Sequence, residues 1–401
     1  MPLVKSIADA RLVFIDTEIG RGHPGYLDGT MARVAAICPE LPLHRTDVFT
    51  ASRGLAKAGW RGVRWLYRAG GRGGMVTSLY NRLRELSSGD SDGGPAMIVL
   101  GRDIRRLASC AKGIVVVSHP LLARMLAPVA PVVYQHGELA APSEAIARGC
   151  RKILVPWLET AARFEQAGVP AETLVVTGQC IEPELVGLAE MSQQARIERL
   201  SGGGPLTAAF FTSGAYPPMH IRRLLLAVRS FVDAGQKAVV FCGRSESVAG
   251  RMITWLRRQG LSPEKGTGGA AEIRIVVSQT REEESQRTAA LFPELDLFIA
   301  PAHERTNWAV GLGLPLLILC PHIGSYAPLN AAIATSRQVA VELGDDRAAE
   351  SMGDLIADFR RSGRLAAMAA NGFGRTAIDG FDSAARLLIT MVSDRGPKAG
   401  C

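Results

Sequence analysis

Two histidines and a carboxylate stand where this 401-residue chain can do proton chemistry. His23 lies in GRGHPG, just after the apolar run Leu12 to Ile15, and His136 and Glu138 lie in VVYQHGELAAPS, just after Val132 to Gln135. If each apolar run is a strand of a parallel sheet, the residues behind it emerge at the sheet's carboxyl end, where ligands bind in open α/β folds. An imidazole there can take a proton near neutral pH, and a carboxylate two residues on can share it or orient the ring. A further group suits an anionic ligand. In AHERTNW, Glu304 and Arg305 can meet a ribose or a diphosphate, and Thr306 and Asn307 can cap the following helix or bind a ligand hydroxyl. The glycines Gly20, Gly22 and Gly25 also spell G-x-G-x-x-G, the dinucleotide-binding pattern, and Asp47 follows at about the distance of a ribose-binding acid. Taken alone, that pattern describes an NAD-dependent oxidoreductase. Pro24 weighs against it, because proline removes an N–H group from a loop whose N–H groups should face a pyrophosphate.

These residues need elements to position them. Apolar, β-branched runs alternate with longer helical patterns, the signature of parallel sheets covered by helices. Strands are expected near Leu12 to Ile15, Leu43 to Val48, Met97 to Leu100, Ile114 to Ser118, Val132 to Gln135, Ile153 to Val155 and Leu174 to Thr177. A second set falls near Thr207 to Phe211, Ala238 to Cys242, Ile273 to Val277, Leu297 to Ala300, Leu316 to Leu319 and Val339 to Val341. The fold class is therefore α/β, two doubly wound Rossmann-like domains facing a central cleft. Residues 1–182 are expected as the first domain, 183–205 as a linker that ends in glycines, and 206–401 as the second domain, with the last helices crossing back over the first.

Composition narrows the function. No apolar run reaches the roughly 18 to 20 residues of a membrane span, and the first residues carry no signal-like pattern, so a cytoplasmic protein is expected. The seven cysteines are scattered, without metal-ligand spacing, and read as reduced thiols; no metal and no resident cofactor are expected. The net charge of +8 is matched by eight basic and no acidic residues between Arg53 and Arg84. Arg53, Lys57, Arg61, Arg64, Arg68 and Arg72 share one face of a helix, interleaved with Trp60 and Trp65. That composition suits an anionic membrane surface, whereas no nucleic-acid recognition motif accompanies the charge.

Several longer stretches resemble the GT-B glycosyltransferases, particularly the group of monogalactosyldiacylglycerol synthases and the N-acetylglucosaminyltransferase of peptidoglycan-precursor synthesis. They are GRGHPG, the segment from Lys152 to Ile181, FFTSGAYPP, AVVFCGR, and LGLPLLIL followed by PLNAA. The resemblance implies metal-independent transfer of a sugar from a nucleoside diphosphate, most simply a UDP-sugar, to a lipid or lipid-linked acceptor at the inner face of the membrane. It assigns His23, His136 and Glu138 to catalysis, with Gly20, Gly22, Ser118 and His119 on the acceptor side. It assigns Ser213, Gly214, Arg244, Glu304, Arg305, Thr306, Asn307 and Asn330 to the donor. Where the family places a ribose-binding Glu this chain has Trp308, which cannot accept the ribose hydroxyls. A UDP-N-acetylglucosamine 2-epimerase-like enzyme and a non-catalytic sugar-nucleotide-binding protein are the alternatives of the same architecture.

Overall fold

Buried parallel strands read as continuous apolar runs because helices cover both of their faces, and the chain supplies two sets of such runs. The computed structural model describes residues 7–17, 19, 22–71, 95–268 and 272–394. The chain divides into two units, the first running to Cys180 and resumed at Ala377, the second spanning Ile181–Thr376.

The first unit holds β1 (Leu12–Asp16), β2 (Leu43–Asp47), β3 (Ile114–Val117), β4 (Val132–Gln135), β5 (Lys152–Val155) and β6 (Leu174–Val176). They form one sheet in the order β2-β1-β3-β4-β5-β6, and every pairing is parallel. Leu12, Phe14, Ile114 and Val116 pack against Leu27 and Val34 of helix Gly22–Ile37 and against Ala384 and Leu388 of helix Gly380–Ser393. Those two helices approach closely at Gly29, where an added Cβ would stand 2.6 Å from the Phe381 ring. Arg33 clamps the same pair by donating to Asp382.

The second unit holds β7 (Thr207–Phe211), β8 (Lys237–Phe241), β9 (Pro263–Lys265), β10 (Ile273–Val276), β11 (Leu297–Ala300), β12 (Leu316–Leu319) and β13 (Ala340–Leu343). Its sheet runs β13-β12-β11-β7-β8-β10-β9, again parallel throughout. Below it Arg196 is fully buried and donates from Nε to the Leu295 carbonyl and from Nη1 to the carbonyls of Leu312 and Gly313. Burial lowers its pKa to about 9. Gly313 has φ +61, and a Cβ there would meet the Ala369 carbonyl at 2.5 Å, so the turn into β12 requires glycine.

The structure departs from the sequence reading at three points. Met97 to Leu100 is helical, within helix Pro95–Ser109, because Ile104 and Ala108 continue its apolar pattern at helical spacing and Pro95 opens the first turn. Between the two units, where a helical segment was expected to lead into the glycine-rich link, Pro183–Ser201 form a 19-residue helix of the second unit. β9 was not foreseen, since Pro-Glu-Lys carries no strand signal and lies at the sheet edge. The GRGHPG motif turns helical from Gly22, with Pro24 in the first turn, where a missing N–H costs nothing.

Candidate functional site

In an open parallel sheet a ligand sits outside the strands' carboxyl ends, where the winding reverses. The second sheet reverses beside β7: the chain proceeds through β8 to its β9 side, then returns to place β11 against β7's other edge. The loops after β7 and β11 therefore flank the expected site, and they carry Ser213, Gly214, Glu304 and Arg305.

The β7 loop is a tight turn closed by the Tyr216 N–H donating to the Ser213 carbonyl at 3.0 Å, and the Tyr216 hydroxyl pins it to the Cys242 carbonyl at 2.8 Å. Tyr216 sits at φ +51, a strained conformation for a bulky residue and one that concentrates at ligand sites. Gly214 is exposed, and the buried Ser213 Oγ has no partner among the described residues. Arg244 follows β8, the strand next to β7, and its side chain is exposed.

On the β11 side, Thr306 opens helix Thr306–Gly311 and is buried, its Oγ1 also without a partner among the described residues. Asn307 is buried beside it, and Asn330, fully buried, donates from Nδ2 to the Ala302 carbonyl at 3.3 Å and so holds this loop from behind. Arg305 lies over the Phe211 ring at 4.3 Å and pairs with Glu284 at 2.7 Å and Glu304 at 3.5 Å. Its charge is thus balanced by two carboxylates, which leaves Arg244 as the better-placed cation for a diphosphate.

Trp308 is a core residue here, edge-on to Phe211 with ring centroids 5.6 Å apart and tilted against Phe298 at 5.9 Å. Its indole N–H donates to Glu182 Oε2 at 3.1 Å. A carboxylate therefore does reach this position, supplied from 126 residues away, a contact that no local motif announces. Burial pushes the Glu182 carboxyl above its ordinary pKa, opposed by the Arg305 charge and the Trp308 hydrogen bond. Burial likewise lowers the pKa of the neighbouring His303, opposed by the Glu304 charge.

In the first unit the winding reverses between β1 and β3. Gly20 and the His23 side chain lie outside the described residues, and Gly22 begins the helix after β1. Ser118 is buried after β3, and His119 caps helix Pro120–Leu126, its Nδ1 accepting from the Leu121 N–H at 3.2 Å. His136 is buried, with Nδ1 3.0 Å from the Tyr134 hydroxyl and Nε2 3.1 Å from the Ala140 carbonyl. The Ala140 carbonyl can only accept, so Nε2–H donates to it, and both ring nitrogens are engaged. Its edge-on contact with Phe164, at 5.2 Å between centroids, completes a packed core environment. Glu138 is buried two residues on.

The basic helix forms over Gly54–Gly70. Trp60, expected at a membrane surface, is fully buried and donates from Nε1 to the Leu100 carbonyl. Arg64 lies over the Phe49 ring at 4.1 Å and Lys57 is half-buried, whereas Arg53, Arg61 and Trp65 are exposed. Arg72 and the Arg68 side chain lie outside the described residues.

The fold and the two switch points define a class: two Rossmann-like domains of GT-B-like architecture. No protein-family profile and no curated protein matches the chain. Solved structures do. A UDP-GlcNAc 2-epimerase from Neisseria meningitidis bound to UDP-GlcNAc superposes with TM-score 0.55 at 11% identity, covering 96% of this chain and 99% of that one. A Listeria monocytogenes protein assigned as a UDP-N-acetylglucosamine 2-epimerase gives 0.56 at 13% identity over 98% of each chain. MnaA of S. aureus, solved with UDP, gives 0.54 at 9% identity over 96% of each. The expectation of sugar transfer to a lipid acceptor is corrected by these likenesses, since the Neisseria and Listeria structures that match this chain nearly end to end carry the name of 2-epimerases; the GT-B-like fold of the resemblance is supported and its galactolipid-synthase group is not.

Proposed function

We propose that the protein binds a uridine diphosphate sugar at the carboxyl ends of β7 and β11 and acts on it as a sugar-nucleotide 2-epimerase. The observation that carries this reading is the pair of buried hydroxyls, Ser213 Oγ and Thr306 Oγ1, left without partners among the described residues on the two loops that flank the switch point. Buried polar groups are nearly always satisfied, so hydroxyls left over at a ligand-binding edge suit a phosphate or ribose oxygen. In this reading Ser213 and the Gly214 backbone receive the diphosphate, Arg244 neutralises it, and Thr306 and Asn307 meet the ribose or the sugar. Inversion at C2 needs a proton removed from that carbon and one returned to its opposite face. In this reading Glu182, whose carboxyl burial pushes above its ordinary value, and Glu304 on the β11 loop carry that exchange.

Thermal melting tests the binding step, because a ligand that binds only the folded state raises the melting temperature. UDP and UDP-N-acetylglucosamine are expected to stabilise the protein and NAD(H) is not; the reverse pattern defeats the reading. Solvent deuterium entering C2 of the sugar then tests the chemistry. Exchange is the expected result; binding without exchange would defeat the epimerase step and mark a sugar-nucleotide-binding protein without turnover.

A separate observation supports contact with an anionic membrane surface. Leu55 and Trp65 are 82% and 69% exposed on the basic helix, alongside Arg61. Exposed Trp and Leu beside cations suit the headgroup layer. No described helix is long and apolar enough to cross a membrane. Sedimentation with phosphatidylglycerol vesicles but not phosphatidylcholine vesicles, lost in Trp65→Ser with Arg61→Glu, is expected; equal sedimentation with both defeats this part.

A further inference from the structure

Three potential metal ligands from separate positions converge at the far edge of the second sheet. β12 and β13 run parallel with Ile318 beside Glu342 and Leu319 beside Leu343. Side chains alternate along a strand, so Cys320, two residues past Ile318, returns to the face that Glu342 shares. The Cys320 N–H continues the ladder by donating to the Leu343 carbonyl at 3.4 Å. The chain then turns at Pro321 and brings His322 Nε2 to 2.9 Å from Glu342 Oε1. One donor atom each from Cys320, His322 and Glu342 lies within 4.8 Å of the others.

We propose that these three residues bind a borderline-soft divalent cation, for which zinc is the best match. Zinc bonds of about 2.0 to 2.3 Å in tetrahedral geometry place the donor atoms roughly 3.3 to 3.8 Å apart, a small adjustment from the arrangement present. A thiolate and a carboxylate cancel the dication's charge, and a neutral imidazole completes a mixed S, N, O set. On binding, the Cys320 S–H bond breaks, its proton goes to solvent and a metal–sulfur bond forms. Cys320 is buried, whereas the His322 and Glu342 side chains are 24% and 45% exposed, so the set is closed on the protein side and open to a water as fourth ligand.

The loop that carries two of the donors is held from helix Pro218–Asp233. Arg223 donates to the Cys320 carbonyl, and His220 Nε2–H donates to the Pro321 carbonyl at 2.8 Å. Arg223 is itself paired with Asp346 at 3.1 Å, which offsets its charge near the site. Such backbone clamps hold ligands in place before the metal arrives. The surface alternative is a plain His322–Glu342 pair, in which Cys320 has no part.

The cysteine is therefore what the experiment must read. The full chain, reduced and stripped with EDTA, is titrated with cobalt(II) and then with zinc. One cobalt per chain is expected, with a sulfur-to-cobalt charge-transfer absorption that zinc abolishes. The band should vanish in Cys320→Ser and persist in Cys110→Ser, which removes an exposed thiol. Glu342→Gln and His322→Gln should each weaken binding at least about tenfold. No band in the wild type, a band that survives Cys320→Ser, or unchanged affinity in both His322→Gln and Glu342→Gln overturns the proposal. If Cys320→Ser does not fold, the other two substitutions decide it. The inference stands apart from the sugar-nucleotide reading: an intact cobalt band in a protein that ignores UDP-sugars would leave this site and remove that one.

Discussion

The carboxyl ends of the two sheets use their polar side chains differently. In the first unit, His119 closes on the helix it caps and His136 engages Tyr134 and Ala140 through both ring nitrogens. In the second, Ser213 Oγ and Thr306 Oγ1 are buried with no partner among the described residues, and Arg244 points to solvent. Histidines following two similar strands are thus spent on the fold, while hydroxyls following two others are left for something outside it. A chemically versatile residue at the right end of a strand is therefore a weaker functional signal than an ordinary one whose hydrogen bonds are not closed.

The largest expected effect separates these two uses. His136→Ala removes a packed ring and strands the Tyr134 hydroxyl and Ala140 carbonyl, so denaturation should show a loss of about 2 to 4 kcal/mol. The affinity for UDP-N-acetylglucosamine should stay unchanged. A loss of affinity at unchanged stability would reverse the assignment of the two regions.

Arg244→Ala should act the opposite way, leaving the denaturation midpoint in place and weakening UDP binding about tenfold, or about 1.4 kcal/mol, in a calorimetric titration. Ser213→Ala should weaken it by a further step down in size, about 1 kcal/mol, because one neutral hydrogen bond is lost. Its stability should be unchanged or slightly improved, since an unpaired buried hydroxyl is removed. A marked loss of stability in Ser213→Ala would mean that the hydroxyl serves the fold after all.

The smallest effect lies in the first unit and appears only in acid. Hydrogen bonds from Arg33 and then Arg386 hold the Asp382 carboxyl below its ordinary value of 3.8. A depressed acid stabilises the fold in full above that ordinary value, and the contribution is lost as pH falls through the lower, folded-state value. Asp382→Asn should therefore flatten the acid limb of a stability-against-pH curve below about pH 3.8 and leave its slope near neutrality unchanged.

Much of this architecture is legible in the sequence because buried parallel strands are nearly uninterrupted apolar runs, as in IVVV of β3 and LLIL of β12. The short run Met97 to Leu100 misleads for the same reason, since four apolar residues fit a buried strand or one turn of a helix equally well, and here Ile98 and Val99 are exposed on the helix. Trp60 and Trp65 look alike in sequence, yet only packing against Leu100 decides that the first is core and the second surface. The site was half legible. Ser213, Arg244 and Thr306 could be placed after their strands, but the Glu182–Trp308 contact and the meeting of Cys320 with Glu342 arise from tertiary contact and sheet register, which no local pattern encodes.

The central claim is that the second unit's switch point holds a UDP-sugar. Titration of UDP-N-acetylglucosamine into the wild type and into Ser213→Trp, a substitution that fills the β7 loop, tests it most directly. The account predicts one saturable site in the wild type and none in a folded Ser213→Trp. Absence of wild-type binding, or equal binding by the two proteins, would contradict it.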